Sequence, residues 1–420
     1  MLANLKIILL FFCFISTAPK GCDDVKKKTT GTSDTEEQSI PVVEAPVEEE
    51  MIVQPIAPGA YNWEAYQAIL QDKKIAMVVN QTSMIGEKHL VDFLLEKGVQ
   101  IEKIFAPEHG FRGEADAGEQ IKDGKDGRTG ISLISLYGKK KKPVKSDLQG
   151  IDLIVFDIQD VGARFYTYIS SMHYVMEACA ENDIEFLVLD RPNPNGHYVD
   201  GPILEAAYRS FVGMHEIPIV HGMTIAEYAR MINGEKWLAN GVECKLQYVL
   251  CENYNHDLIY DLKIKPSPNL PNLRSIYLYP SLCLFEGTTV NIGRGTDKQF
   301  QIYGHPDFRN GNYEYIPKSM PGAKYPKFEN ETCYGFDYSQ MPLKIARKRQ
   351  FDLNYLVDYY EAFPNKSKFF LKNNFFDKLA GNRKLRKQIE SGMTVKEIRA
   401  TWADGLDNFR KTREKYLLYD

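Results

Sequence analysis

None of the seven cysteines forms a CxxC pair, which excludes a zinc ribbon and a dense disulfide scaffold. No GxGxxG follows a strand-like run and no GxxxxGK[ST] occurs, so the nucleotide-binding fingerprints are missing. Charge of one sign is also missing from the body of the chain: residues 58–420 carry 47 basic and 47 acidic side chains. A nucleic-acid binder would need a basic excess there. There is no internal repeat, and beyond the first twenty or so residues no apolar run is long enough to cross a bilayer. What is present is ordinary globular material, 44% hydrophobic and 26% charged over 420 residues. That length fits one very large domain or two common ones. Aromatic residues are plentiful, with 25 Tyr and 22 Phe, and tyrosine-rich surfaces suit carbohydrate or peptide ligands.

The N-terminus carries an address. A short basic start through Lys6 leads into an apolar run inside Leu5–Ala18, too short for a mature transmembrane helix and right for a secretory signal over residues 1–21. Cys22 follows Gly21, with Asp23 and Asp24 behind it. A Gly-Cys junction after such a run is where a bacterial lipoprotein receives its lipid. The expectation is an exported protein of the cell envelope or periplasm, anchored to a membrane through Cys22. Residues 22–57 hold nine acids and three lysines without helical or alternating period, as a solvated tether does.

Past the tether, strand-like and helix-like runs alternate. Lys74–Asn80, Gln100–Phe105, Ile151–Asp157 and Ile184–Leu189 read as nearly continuous apolar strands, and His89–Lys97 and Tyr166–Glu181 as helices. This rhythm predicts an α/β fold with a parallel, Rossmann-like sheet covered on both faces. From about 275 the pattern changes to aromatic, proline-punctuated segments and then to helical ones, which places a boundary between domains of 58–275 and 276–420. Thr224-Ile-Ala-Glu227 and Thr394-Val-Lys-Glu397 are capping boxes. The second opens a last helix with Ile398, Trp402, Leu406 and Phe409 on its core face.

Polar residues gather where these strands end. The first runs into Asn80, the second into Glu108 and His109, the third into Asp157, Asp160, Arg164 and Tyr166, the fourth into Asp190, Arg191, Asn193 and Asn195. In an open parallel sheet these loops share the carboxyl edge, where ligands bind. Pro107 and Gly110 fix the backbone around Glu108, as suits a positioned side chain. Asp157 and Asp190 are equally readable as caps on loop amides, Asp160 and Arg164 as an ion pair, and Asn193-Pro-Asn195 as a rigid turn. His221 stands undecided just before the first capping box. Gly293-Arg-Gly-Thr296 is a tight turn, or a place where backbone approaches a ligand while Arg294 clamps an anion.

Taken together, Ala106-Pro-Glu-His-Gly-Phe-Arg-Gly113, Asp157 through Thr167, Asp190-Arg-Pro-Asn-Pro, Gly222-Met-Thr224, Gly293-Arg-Gly-Thr296 and the closing Lys415-Tyr-Leu-Leu-Tyr419 resemble the NamZ family of bacterial exo-β-N-acetylmuramidases, glycoside hydrolase family 171. The likeness covers about 74–420. It implies a Rossmann-like domain followed by a smaller α/β domain with the cleft between them, and release of N-acetylmuramic acid from non-reducing ends of peptidoglycan fragments. It also makes Glu108 the leading catalytic carboxylate. Many members have Ser-Glu before the Gly-Arg-Gly-Thr motif; here Asn291-Ile292 stand instead, so no carboxylate at 292 serves this chain.

Glycosidic cleavage ordinarily uses a protonated acid at the leaving oxygen and a second carboxylate. Glu108 suits the acid role; Asp160 and Glu114 are candidates for the second, with Asp190 behind them and His109 beside the acid. Arg164, Arg191 and Arg294 could each meet the lactyl carboxylate of muramic acid. The scheme needs neither cofactor nor metal. Two rivals stay open: a metal-dependent hydrolase using His109, Asp157, Asp160 and His197 or His221, and a lipoprotein that binds muropeptides without turnover.

Overall fold

In the computed structural model the described residues are 55–108, 110–111 and 123–419. The signal region, the tether up to residue 54, Cys22, His109 and Glu114 lie outside them. Residues 54–420 form one compact unit.

The first half is built on a seven-stranded sheet. Its strands are β1 (Lys74–Val79), β2 (Gln100–Ala106), β3 (Gly124–Lys125), β4 (Ser132–Ser135), β5 (Leu153–Asp157), β6 (Glu185–Leu189) and β7 (Lys245–Val249). The spatial order is β3-β4-β2-β1-β5-β6-β7, parallel throughout except for β3 at the edge. Helices α1 (Trp63–Leu70) and α2 (Leu90–Glu96) lie on one face, α3 (Tyr168–Glu181) and α4 (Ile225–Gly234) on the other. Alternation along each strand explains why both faces are dry. Ile75, Met77 and Val79 of β1, with Leu153 and Val155 of β5, meet Tyr66, Leu70, Leu90 and Leu94. Ala76, Val78, Ile154 and Phe156 between them point the other way, toward Met172, Val175 and Met176 of α3. The two-sided burial predicted from the apolar runs is therefore observed.

The second half begins with α5 (Leu273–Leu282). It carries a three-stranded antiparallel sheet of β8 (Ile302–His305), β9 (Tyr313–Tyr315) and β10 (Cys333–Asp337), with β10 central. Helices α6 (Leu343–Arg349), α7 (Asn354–Ala362), α8 (Phe375–Ala380), α9 (Lys384–Glu390), α10 (Val395–Ala400) and α11 (Ala403–Glu414) follow. Both capping boxes form, at Thr224 and at Thr394. The helix predicted from Thr394 onward is two: it breaks between Ala400 and Ala403, yet Ile398, Trp402, Leu406 and Phe409 are all buried. One apolar core joins the halves, running from Ala76 to Phe409.

The chain leaves β1 toward β2 on one side and returns to β5 on the other, so the sheet reverses its winding at β1. The carboxyl ends of β1, β2 and β5 meet there, at the switch point where α/β sheets hold ligands.

Candidate active site

A cavity of about 360 Å³ opens beside this switch point. Glu108 lies in its wall, directly after β2. The Gly110 amide donates to Pro107 O at 3.0 Å and Gly110 takes φ +80°, closing a tight turn around Glu108. Only glycine adopts that backbone cheaply. Thr167 Oγ1 donates to Glu108 Oε2 at 2.9 Å, and the Tyr168 hydroxyl to Glu108 O at 3.4 Å. The loop after β5 thus aims the carboxylate delivered by β2.

The rest of the wall is largely aromatic: Phe165, Tyr166, Tyr168, Phe211, Tyr279 and Phe300. Tyr166 is braced by Pro266 O at 2.7 Å and meets Tyr168 and Tyr279 edge-on. Ser267 and Asn269 supply polar wall from the segment before α5.

The second half contributes a charged pair, Glu286 and Arg294, both lining the cavity. Arg294 Nε donates to Glu286 Oε1 at 2.5 Å and its guanidinium lies over the Phe300 ring. Among the described residues its two terminal nitrogens have no protein acceptor, and its side chain is 26% exposed. Burial alone would raise Glu286, but the Arg294 guanidinium and the Lys327 ammonium outweigh it and hold the carboxyl below its ordinary value. Lys327 Nζ in turn donates to Thr288 O at 2.7 Å and Val290 O at 3.1 Å, which fixes the turn carrying Glu286. The cavity therefore has a glutamate from each half, one of them kept ionised, and a fixed cation with unused donors.

Of the predicted site residues, the structure brings Glu108, Tyr166 and Arg294 to this cavity. The other predicted site residues that are described do not line it. Arg191 is committed to Asp157 through two bonds of 2.5 and 2.9 Å, both side chains buried. Asp190 accepts from the Ala226 amide and the Tyr419 hydroxyl, and burial pushes it up to about 6. Asn193 Nδ2 donates to Met223 O and its Oδ1 accepts the Asn195 amide; Asn195 Nδ2 donates to Val161 O. Asn80 Oδ1 accepts from the amide and hydroxyl of Thr82. These side chains close loops or pair with one another, which for Asp190, Asn193 and Asn195 is the structural alternative stated above.

Arg164 and Asp160 are not an ion pair. The Arg164 guanidinium is fully buried and donates to Pro202 O, Ile217 O and Leu379 O at 2.9, 2.6 and 2.9 Å. It joins the two halves instead of reaching a ligand. Burial pulls its pKa down to about 9, so it stays charged at neutral pH. Asp160 is buried as well, and desolvation pushes it up to about 7. Its Oδ2 accepts the Gly162 amide at 2.7 Å and lies 3.8 Å from His221 Nε2, while Oδ1 has no partner among the described residues. Burial pulls His221 down to about 3. Among the described residues no three His, Cys, Asp or Glu side chains are grouped to hold a metal ion.

Glu286 and Lys327 were not picked out from the sequence. The signal available was a single acid inside Leu284-Phe-Glu-Gly287, eight residues before Arg294.

The fold and cavity define an α/β protein with an acid-bearing, aromatic-walled site between two halves. Residues 75–274 match the family model described as Exo-beta-N-acetylmuramidase NamZ, N-terminal, and residues 277–419 match its C-terminal counterpart. The chain belongs to the NamZ family. It is 38% identical over 377 residues to the peptidoglycan β-N-acetylmuramidase NamZ of Bacillus subtilis strain 168, covering 84% of this chain and 89% of that protein. Two crystal structures of DUF1343 family proteins from Bacteroides fragilis are similar to it. One has 46% identity and a TM-score of 0.81, the other 28% and 0.76; each alignment covers 87% of this chain and 99% of the other.

Proposed function

We propose that this protein is an exo-acting glycoside hydrolase that releases N-acetylmuramic acid from the non-reducing ends of peptidoglycan fragments. The observation that carries the reading is Glu108 in the wall of a cavity of about 360 Å³ that Arg294 also lines. That volume is at the low end for ligand sites, roughly 300–1,000 Å³, and suits one substituted sugar better than a length of glycan. Family membership supports the same reaction.

The chemistry follows from the two glutamates. Glu108 gives its proton to the glycosidic oxygen as the bond from that oxygen to C1 breaks, and the shortened fragment leaves with a new hydroxyl. Positive charge grows at C1 and the ring oxygen. Glu286, the one other acid lining the cavity among the described residues and held ionised, is the carboxylate to oppose it. Water then adds at C1 and its proton restores Glu108. Arg294 Nε is taken by Glu286, which leaves its terminal donors for the lactyl carboxylate, a group N-acetylglucosamine lacks.

Incubation with a chromogenic N-acetylmuramide beside the matching N-acetylglucosaminide tests this. The muramide should be cleaved far faster, and cleavage of neither would remove the hydrolase reading. Export and lipidation at Cys22 belong to the same proposal and rest on the Gly21-Cys22 junction after the apolar run. Cys22→Ala should move the protein from the membrane fraction to the soluble one; continued membrane association without lipid label would reject the anchor.

A further inference from the structure

The segment 316–327 leads from β9 past the cavity, and three anchors fix its course. The Lys318 amide donates to Gly295 O at 2.8 Å, next to Arg294. Gly322 O accepts from Asn269 Nδ2 at 2.9 Å, and Asn269 is itself cavity wall. Lys327 Nζ donates to carbonyls of the turn carrying Glu286, and Asn291 Nδ2 donates to Lys327 O at 2.8 Å. A Cβ added at Gly295 would collide with Lys318 and Pro326, so the loop lies hard against the Arg294 turn. The segment therefore runs immediately outside the wall, tied to both of its charged and polar ends.

On this fixed loop Tyr325 is 91% exposed. No other large apolar or aromatic side chain among the described residues is as exposed; the next, Ile259, is at 60%. The neighbours Pro326 and Lys327 hold the backbone in place, so the ring adds little to the fold. An aromatic ring bared on a loop tied to the Arg294 turn, just outside the lining of a cavity sized for one sugar, has the chemistry of a stacking surface for a second sugar. A pyranose lays its C–H face on such a ring while its hydroxyls stay in water.

We propose that Tyr325 is the platform for the aglycone, the sugar on the far side of the scissile bond. The inference rests on the muramidase reading and deepens it, because it assigns the part of the substrate that the cavity does not enclose. Stacking there would help draw glycan fragments, and would contribute nothing to a muramide whose leaving group is too small to reach the ring.

The test compares the disaccharide of N-acetylmuramic acid β-linked to N-acetylglucosamine with methyl β-N-acetylmuramide, following released N-acetylmuramic acid by mass spectrometry. For Tyr325→Ala, kcat/KM on the disaccharide should fall roughly three- to tenfold, mainly through KM, while the methyl glycoside is cleaved as by the parent. Tyr325→Phe keeps the ring face and should restore the disaccharide value. Thermal midpoints should agree among all three proteins. Equal losses on both substrates, no loss on the disaccharide, or a Phe variant as weak as the Ala variant would each overturn the platform. A parent protein that cleaves neither substrate would instead count against the hydrolase reading.

Discussion

Arg164 offers the clearest separation of scaffold from site. Its guanidinium is sealed from solvent and spends three hydrogen bonds on carbonyls of Pro202, Ile217 and Leu379. Leu379 belongs to α8, so one side chain ties the first half of the chain to the second. No carboxylate neutralises it among the described residues, so the three carbonyls carry the whole cost of burying the charge. Hydrogen bonds to a charged group contribute about 1.5–3 kcal/mol each. Arg164→Lys keeps the charge but replaces a planar fork by a single ammonium, which cannot hold acceptors shared between two terminal nitrogens of a plane. Losing two of the bonds, at about 1.5–2 kcal/mol each, should cost about 3–4 kcal/mol. For a unit spanning 54–420, 1 kcal/mol moves Tm by about 1.5 °C, so calorimetry should show a fall of about 4–6 °C. At a temperature well below the transition, kcat/KM on a muramide should stay within about threefold of the parent. A variant with unchanged Tm and abolished turnover would refute the reasoning and return Arg164 to the ligand.

The remaining predictions concern the cavity and the buried acids. Glu108→Gln keeps size and the Thr167 contact but removes the acid, and turnover should fall roughly 10²–10⁴-fold with little change in Tm; a variant within tenfold of the parent would shift the acid role elsewhere. Arg294→Ala should reduce the preference for a muramide over an analogue lacking the lactyl carboxylate by about tenfold or more, and an unchanged preference ratio would take Arg294 out of substrate recognition. Asp160, raised from 3.8 to about 7 by burial, binds its proton more tightly folded than unfolded. The stability it contributes is complete below about pH 4 and is lost as pH rises to 7. Asp160→Asn mimics the protonated form, so the Tm of the variant relative to the parent should climb between pH 5 and pH 8, by the equivalent of on the order of 2–4 kcal/mol; a constant difference across that range would show that Asp160 is ionised throughout.

How much of the fold could be read from the sequence depended on burial. Strands β1, β2, β5 and β6 are central and mostly covered on both faces, so their sequences are nearly continuous apolar runs. Near the edges of the sheet that signal fades. β7 reads Lys-Leu-Gln-Tyr-Val and is buried fully only at Val249, and β4 reads Ser-Leu-Ile-Ser and is fully covered only at Ser135. Neither stands out from a loop: β7 is an edge strand with one neighbour, and β4 has only the two-residue β3 on its outer side, so each has less apolar surface to hide. The break between α10 and α11 was hidden for a different reason. Ile398, Trp402, Leu406 and Phe409 keep a helical spacing across it, and all four reach the core even though the backbone turns at Thr401. Periodicity reports which residues face inward, not whether the hydrogen-bond ladder is continuous.

The site was legible as a place and less so as a set of side chains. Parallel strands must end at one edge, so the loops after β1, β2, β5 and β6 were bound to meet. But those loops have little regular structure of their own, and their buried amides and carbonyls still need partners. Asn80, Asp190, Asn193 and Asn195 supply them at short range, and the Asp157–Arg191 pair locks two strand ends together. An asparagine that caps a loop and one that binds a sugar hydroxyl look the same in sequence. What set Glu108 apart was its setting: proline before it and glycine two residues on hold the backbone, and Thr167 takes one carboxylate oxygen only. The second glutamate escaped because the strand-end argument stops at the first half, whereas Glu286 and Arg294 arrive from beyond α5. A site between two halves takes its rigid, self-satisfied floor from the sheet edge and half of its chemistry from the part of the chain that packs over it.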